Sequence, residues 1–149
     1  MSESRIAAIT LDEKSVIALS IPIAQEREVA ISDLLEKNFF RLTTSDGPYH
    51  LTLSVQENRL VLATTDDKVM VSLTPFRKVI KDYFLVCDSY YKAFRTAPPH
   101  QIEALDSGRR ALHDEAAALL IKRLEGKIEL DHATARRLFT LICVLHLKA

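Results

Sequence analysis

The apolar residues of this chain change their spacing near Thr74, and that change restricts the folds open to it. Ahead of it, Tyr49, Leu51, Leu53 and Val55 alternate with His50, Thr52 and Ser54, the period of a strand with one face buried. Beyond it, Phe76, Ile80, Tyr83, Cys87, Tyr90 and Phe94 recur at intervals of three and four, which predicts a long helix from Thr74 to Phe94. Thr74 suits an N-cap and Pro75 the first helical position, where a missing N–H costs nothing. A run of strands followed by a run of helices points to an α+β fold, an antiparallel meander packed against long helices, with a helical C-terminal half.

The remaining segments fill in that plan. Ile6 to Leu11 reads as a strand, and Lys14 to Ile21 as irregular chain or a second short strand. Pro22 opens an amphipathic helix that reaches Asn38. Turns at Ser45-Asp46-Gly47-Pro48, Gln56-Glu57-Asn58 and Asp66-Asp67 separate three strands ending at Leu73. Pro98-Pro99 closes the aromatic helix, and a second long helix runs from Pro99 or His100 to Glu125, with Gly126 as its stop. Gly108 inside it marks a break or a close helix crossing. Lys127 to Leu130 is extended, Asp131 is an N-cap, and a last helix spans His132 to His146. From Leu138 to Leu147 this helix is apolar almost all round, so it is either a central core helix or one completed by a second copy. The 149 residues predict one domain, residues 1–149, with strands and one helix in 1–73 and mostly helix in 74–149.

Composition narrows function mainly by exclusion. The formal net charge is zero, which argues against a nucleic-acid or membrane-surface binder. The charge is divided, however: residues 1–74 net −4 and residues 75–149 net +4. Cys87 and Cys143 stand alone in apolar helical patterns, which predicts buried reduced thiols and a cytoplasmic protein. The N-terminal residues lack the basic and apolar pattern of a secretory signal, and no apolar run has the length of a membrane span. Three glycines in the whole chain rule out a glycine-rich phosphate loop. Paired-histidine metal motifs, Cys-x-x-Cys and nucleophile elbows are absent too, so no catalytic residue, metal ligand or cofactor is assigned.

One cluster carries the chemistry that is left. On the second long helix, Asp106 reaches Arg109 and Arg110, Arg110 reaches Asp114, and Arg109 reaches His113 at helical spacing. Arg109 lies on the same seam as Ile102, Leu105, Leu112 and Ala116. An arginine there either pairs with a carboxylate or holds an anion through its planar fork. With Arg77 and Lys81 from the aromatic helix, the candidate ligand contacts are Arg77, Lys81, Arg109, Arg110 and His113. The leading reading is a non-catalytic protein-binding or regulatory module whose partner is another protein or a second copy. The alternative is an enzyme or sensor for a small phosphate or carboxylate.

Three stretches carry a resemblance: Leu73 to Arg77 with Lys81 to Phe84, Gln101 to Ala104 with Gly108 to Arg110, and Thr134 to Leu145. With the Asp46-Gly47-Pro48-Tyr49 turn, they make the chain similar, over nearly its whole length, to a small alphaproteobacterial family of function-unknown proteins of the UPF series. The resemblance implies a cytosolic bacterial protein and transfers no catalytic residue.

Overall fold

The computed structural model describes residues 3–13 and 21–148. The reading of Lys14 to Ser20 as irregular or extended lies outside those residues. Along the chain run β1 (Ile6–Leu11), α1 (Ile21–Glu36), β2 (Phe40–Leu42), β3 (Tyr49–Gln56), β4 (Arg59–Ala63) and β5 (Lys68–Ser72). After them come α2 (Arg77–Ala93), α3 (Pro99–Arg123), β6 (Ile128–Leu130) and α4 (His132–Lys148). The fold is α+β with a helical C-terminal half.

The predicted meander is β3-β4-β5, antiparallel throughout. Its first turn places Glu57 at φ 51° and Asn58 at φ 61°, so that Gln56 pairs with Arg59 across a two-residue hairpin. Positive φ at both central positions matches the right-handed twist of the flanking strands. Tyr49, Leu51, Leu53 and Val55 are all buried, as their alternation requires. β1 then adds a fourth strand beside β3, and it is parallel, so the sheet is mixed in the order β1-β3-β4-β5. Asn38, just past α1, sets this edge. Its side chain accepts from Ile6 N at 2.7 Å and donates to Leu34 O at 2.8 Å, capping the helix and continuing the strand at once. Gly47 is obligatory at the neighbouring turn, because a Cβ there would lie 2.0 Å from Glu3 O.

A second, two-stranded sheet joins β2 to β6, pairing Phe40 with Leu130 and Leu42 with Ile128. It ties the segment after α1 to the segment before α4. Thr134 reinforces the tie: Asp131 Oδ1 accepts from its N–H as the N-cap, and its hydroxyl accepts from Phe39 N, each at 3.0 Å. Gly126, at φ 83°, terminates α3 and turns the chain into β6.

The aromatic helix differs at its start from the expected cap. Thr74 to Phe76 form a 3₁₀ turn, and α2 proper begins at Arg77 with no side-chain cap. The Thr74 hydroxyl accepts from Asn58 Nδ2 instead, pinning the turn to the β-hairpin. α3 runs unbroken through Gly108, whose Cα faces Val86. An added Cβ would meet Val86 Cγ1 at 4.0 Å, an ordinary contact, so the crossing is close without demanding glycine. α4 packs against α1, α3 and β3, and Ala135, Leu138, Phe139, Leu141, Ile142, Cys143, Val144 and Leu145 are all buried. It is the core helix of the fold. At about 1.5–3 kcal/mol per fully buried large apolar side chain, it supplies a major share of the hydrophobic stabilisation.

Candidate functional site

Three helices bring a polar cluster together around one carboxylate, Glu26 of α1. The Tyr91 hydroxyl of α2 donates to Glu26 Oε1 at 2.9 Å, and Arg109 Nη1 of α3 donates to the same oxygen at 2.7 Å. Arg109 Nη2 donates to Asp106 Oδ1 at 2.9 Å, and the second Asp106 oxygen takes Arg110 Nη2 at 3.0 Å. The Arg109 guanidinium also lies 5.2 Å from the centroid of the Tyr90 ring, a cation–π distance. Its side chain is 23% exposed and that of Glu26 13%, so the pair is substantially withdrawn from water. Burial alone would lower the Arg109 pKa, but the Asp106 hydrogen bond and the Glu26 charge outweigh it and raise it. Asp106 is held below the usual carboxylate range, first by its bond to Arg109.

Arg109 therefore has the carboxylate partner that an arginine on an apolar seam calls for, and has two. Asp106 is legible at helical spacing. Glu26 is 83 residues away in sequence and was out of reach of any periodicity argument.

The predicted contacts separate into groups. Arg109 and Arg110 meet at Asp106. His113 lies one turn further along α3 in an aromatic setting, 4.8 Å from the Tyr83 ring and 6.1 Å from that of Phe139. Burial, with the Arg109 and Arg136 charges, pushes His113 down to about 4, so it is neutral at pH 7. Its Nε2 is buried and has no hydrogen-bond partner among the described residues. Asp114 pairs with His132 at 3.0 Å, whereas Arg110 is bound to Asp106. Arg77 and Lys81 are exposed near the start of α2. Arg77 is thirteen residues before Tyr90, about 20 Å along the helix axis at 1.5 Å per residue, so α2 sets it far from the ring beneath Arg109.

Two other findings bear on chemistry. Cys87 and Cys143 are both free and buried. Burial pushes the Cys87 thiol up to about 11, so at neutral pH it is a thiol and not a nucleophilic thiolate. Among the described residues no group of three or more His, Cys, Asp or Glu is placed to hold a metal ion. No helix among them is long and apolar enough to cross a membrane.

Beside the Glu26–Arg109 pair lies an open cleft of about 520 Å³ between α1 and α2. Tyr90 and Tyr91 line it, with Val29 and Phe94, which are 55% and 63% exposed despite their apolar side chains. Arg95 also lines it and makes no ion pair among the described residues. The predicted core seam of α2 thus holds through Phe76, Ile80, Tyr83 and Cys87, and its last two members, Tyr90 and Phe94, turn out to face this cleft.

Comparison with known proteins identifies the family. The profile of an uncharacterised protein family, UPF0262, matches residues 3–148. The chain belongs to the UPF0262 family. A UPF0262 protein of Caulobacter vibrioides is 56% identical over 147 residues, covering 95% of this chain and 92% of the relative. One from Methylobacterium radiotolerans is 52% identical over 151 residues, covering 97% and 94%. One from Erythrobacter litoralis is 49% identical over 159 residues, covering 99% of each chain. The family is bacterial, and these relatives are alphaproteobacterial. No solved structure matches this UPF0262 chain.

Proposed function

We propose that this chain is a protein-binding module and that the cleft over Tyr90 and Tyr91 is where its partner docks. One observation carries the reading: Val29 and Phe94, from different helices, are both more than half exposed and line the same aromatic cleft. Monomeric surfaces scatter such residues singly, and tyrosines with arginines around an apolar centre are the composition of interface hot spots. Arg95 supplies a cation in the same lining that no acid among the described residues pairs with. The occupant that fits is a segment of another protein presenting an apolar side chain next to a carboxylate.

An anionic small ligand held by Arg109, Arg110 and His113 is the weaker reading. Glu26 and Asp106 already neutralise both arginines, and His113 is uncharged at pH 7. Arg109 enters the preferred reading as the residue that positions Tyr90 and Tyr91.

The test uses the full chain with a photo-reactive amino acid in place of Phe94, and a control with it at the exposed Ala118 of α3. The expected result is a discrete cross-linked partner at position 94 only, abolished by Val29→Glu and by Arg95→Glu. Binding to Arg95→Glu should return when the partner's facing carboxylate is changed to lysine. Equal cross-linking at 94 and 118, or cross-linking that survives both substitutions, would overturn the proposal. A product of twice the chain's mass would replace the heterologous partner with a second copy.

A further inference from the structure

A smaller cleft, of about 180 Å³, involves the same helix α1 together with α3 and α4. Its walls hold Asp33 of α1, His113 of α3, and Arg136, Arg137 and Thr140 of α4, and Glu26 and Val29 line both clefts. Arg136 sets it apart. No carboxylate among the described residues pairs with it, and its Nε is buried without a hydrogen-bond partner. His113, in the same lining, leaves Nε2 equally unpartnered.

The charges facing this space do not cancel. Arg136 and Arg137 bring two positive charges, and among the described residues the half-buried Arg137 side chain bonds only the Lys37 carbonyl, at 3.5 Å. Of the two acids in the lining, Glu26 is matched by Arg109, which leaves Asp33. Asp114, next to His113 on α3, is matched by His132. With His113 neutral, one positive charge remains in excess. A partly buried guanidinium without an acid is an unfavourable arrangement that a planar anion relieves, because the fork matches a carboxylate bidentately.

We infer that the α1–α4 cleft binds a small monoanionic carboxylate, with Arg136 as its fork, Arg137 as the second cation and His113 as a polar neighbour. A cavity of about 150 Å³ accommodates benzene, so this one takes roughly six to eight non-hydrogen atoms. Asp33, which forms no ion pair among the described residues, accepts a hydrogen bond from the ligand and selects a hydroxy or amino acid over a plain alkyl carboxylate. The occupant of the larger cleft does not enter into this, since neither Arg136 nor Arg137 lines it.

The test is a titration of the ¹⁵N-labelled full chain with sodium lactate, sodium acetate and sodium phosphate at ionic strength held constant with sodium chloride, following the His113 imidazole signals. Lactate should give a saturable shift, and acetate the same shift at least about tenfold more weakly. Arg136→Gln should lose the lactate response by about tenfold or more while the other histidine signals stay in place. Should Arg136→Gln not fold, Asp33→Asn carries the test: it should still take acetate, but with the preference for lactate gone. The inference is overturned by no saturable His113 shift with any of the three anions up to about 50 mM. It is equally overturned by a shift that Arg136→Gln retains, by a lactate preference that Asp33→Asn retains, or by phosphate binding more tightly than lactate.

Discussion

Arg109 and Arg136 make an instructive pair. Both are arginines whose Nε is buried and unpartnered, both bear on His113, and both lie close to α1. Arg109 is held by two carboxylates and an aromatic ring from three helices. Among the described residues Arg136 has none of these. The first charge is consumed in joining α1, α2 and α3. The second is unspent. The difference shows what residue type and helical spacing leave open: they mark an arginine that needs a partner, and only the fold shows that Arg109 has Glu26.

The comparison is most strongly broken by Arg109→Ala. It strands Glu26 in a nearly buried position without its cation, and should lower unfolding free energy by about 3 kcal/mol, measured by urea denaturation. Restoring neutrality with Glu26→Gln in the same chain should recover much of that loss, because the unpaired charge is the larger part of the cost.

His113 sits between the two arginines and gives the next effect. Its folded pKa, about 4, lies below the ordinary value of 6.5, so the unfolded chain takes up the proton first as pH falls. The contribution is present above pH 6.5 and is lost as pH drops toward 4. Between pH 7 and pH 5 it should amount to about 2 kcal/mol of lost stability. Comparing urea unfolding of wild type and His113→Phe at the two pH values isolates it, since phenylalanine keeps the ring between Tyr83 and Phe139 and should flatten the slope.

Arg136→Met should change stability by no more than about 1 kcal/mol, and toward greater stability, because it removes a buried guanidinium nitrogen that nothing satisfies. A loss as large as that from Arg109→Ala would erase the distinction between the two. The smallest effect belongs to Phe94→Ser. An exposed ring at a cleft contributes little to folding, so the melting midpoint should correspond to a change within about 0.5 kcal/mol. The same substitution should weaken partner binding strongly if the cleft is the docking surface.

Much of this architecture was legible in the chain. The strand-to-helix change of period, the hairpin at Glu57-Asn58, the Asp131 cap and the Gly126 stop all rest on local rules, and local rules suffice for them. Arg109 stood out because an arginine on an apolar seam needs a partner. What was not legible is long-range. Periodicity reports that a face is buried, not what buries it, so nothing in Ile6–Leu11 announces a parallel neighbour in β3. Phe40–Leu42 is too short for a period, and its partner is β6, some 88 residues on. Glu26 read as one more acid on a helix surface. Arg136 and Arg137 stand in sequence simply as two adjacent cations, and only the packing of α4 against α1 reveals the counter-charges around them.

The burial of α4 has a consequence for how the protein is made. α1, α3 and β3 all pack against α4, and β2 has no strand partner until β6 has been synthesised just ahead of it. While the ribosome is still adding that segment, the finished meander and the amphipathic helices hold their apolar faces open. Contacts of such long sequence separation form slowly, and exposed strand edges invite mispairing while they wait. The chain therefore has to complete its fold late and all at once, and substitutions that loosen α4 should first be seen as poor yield of soluble protein.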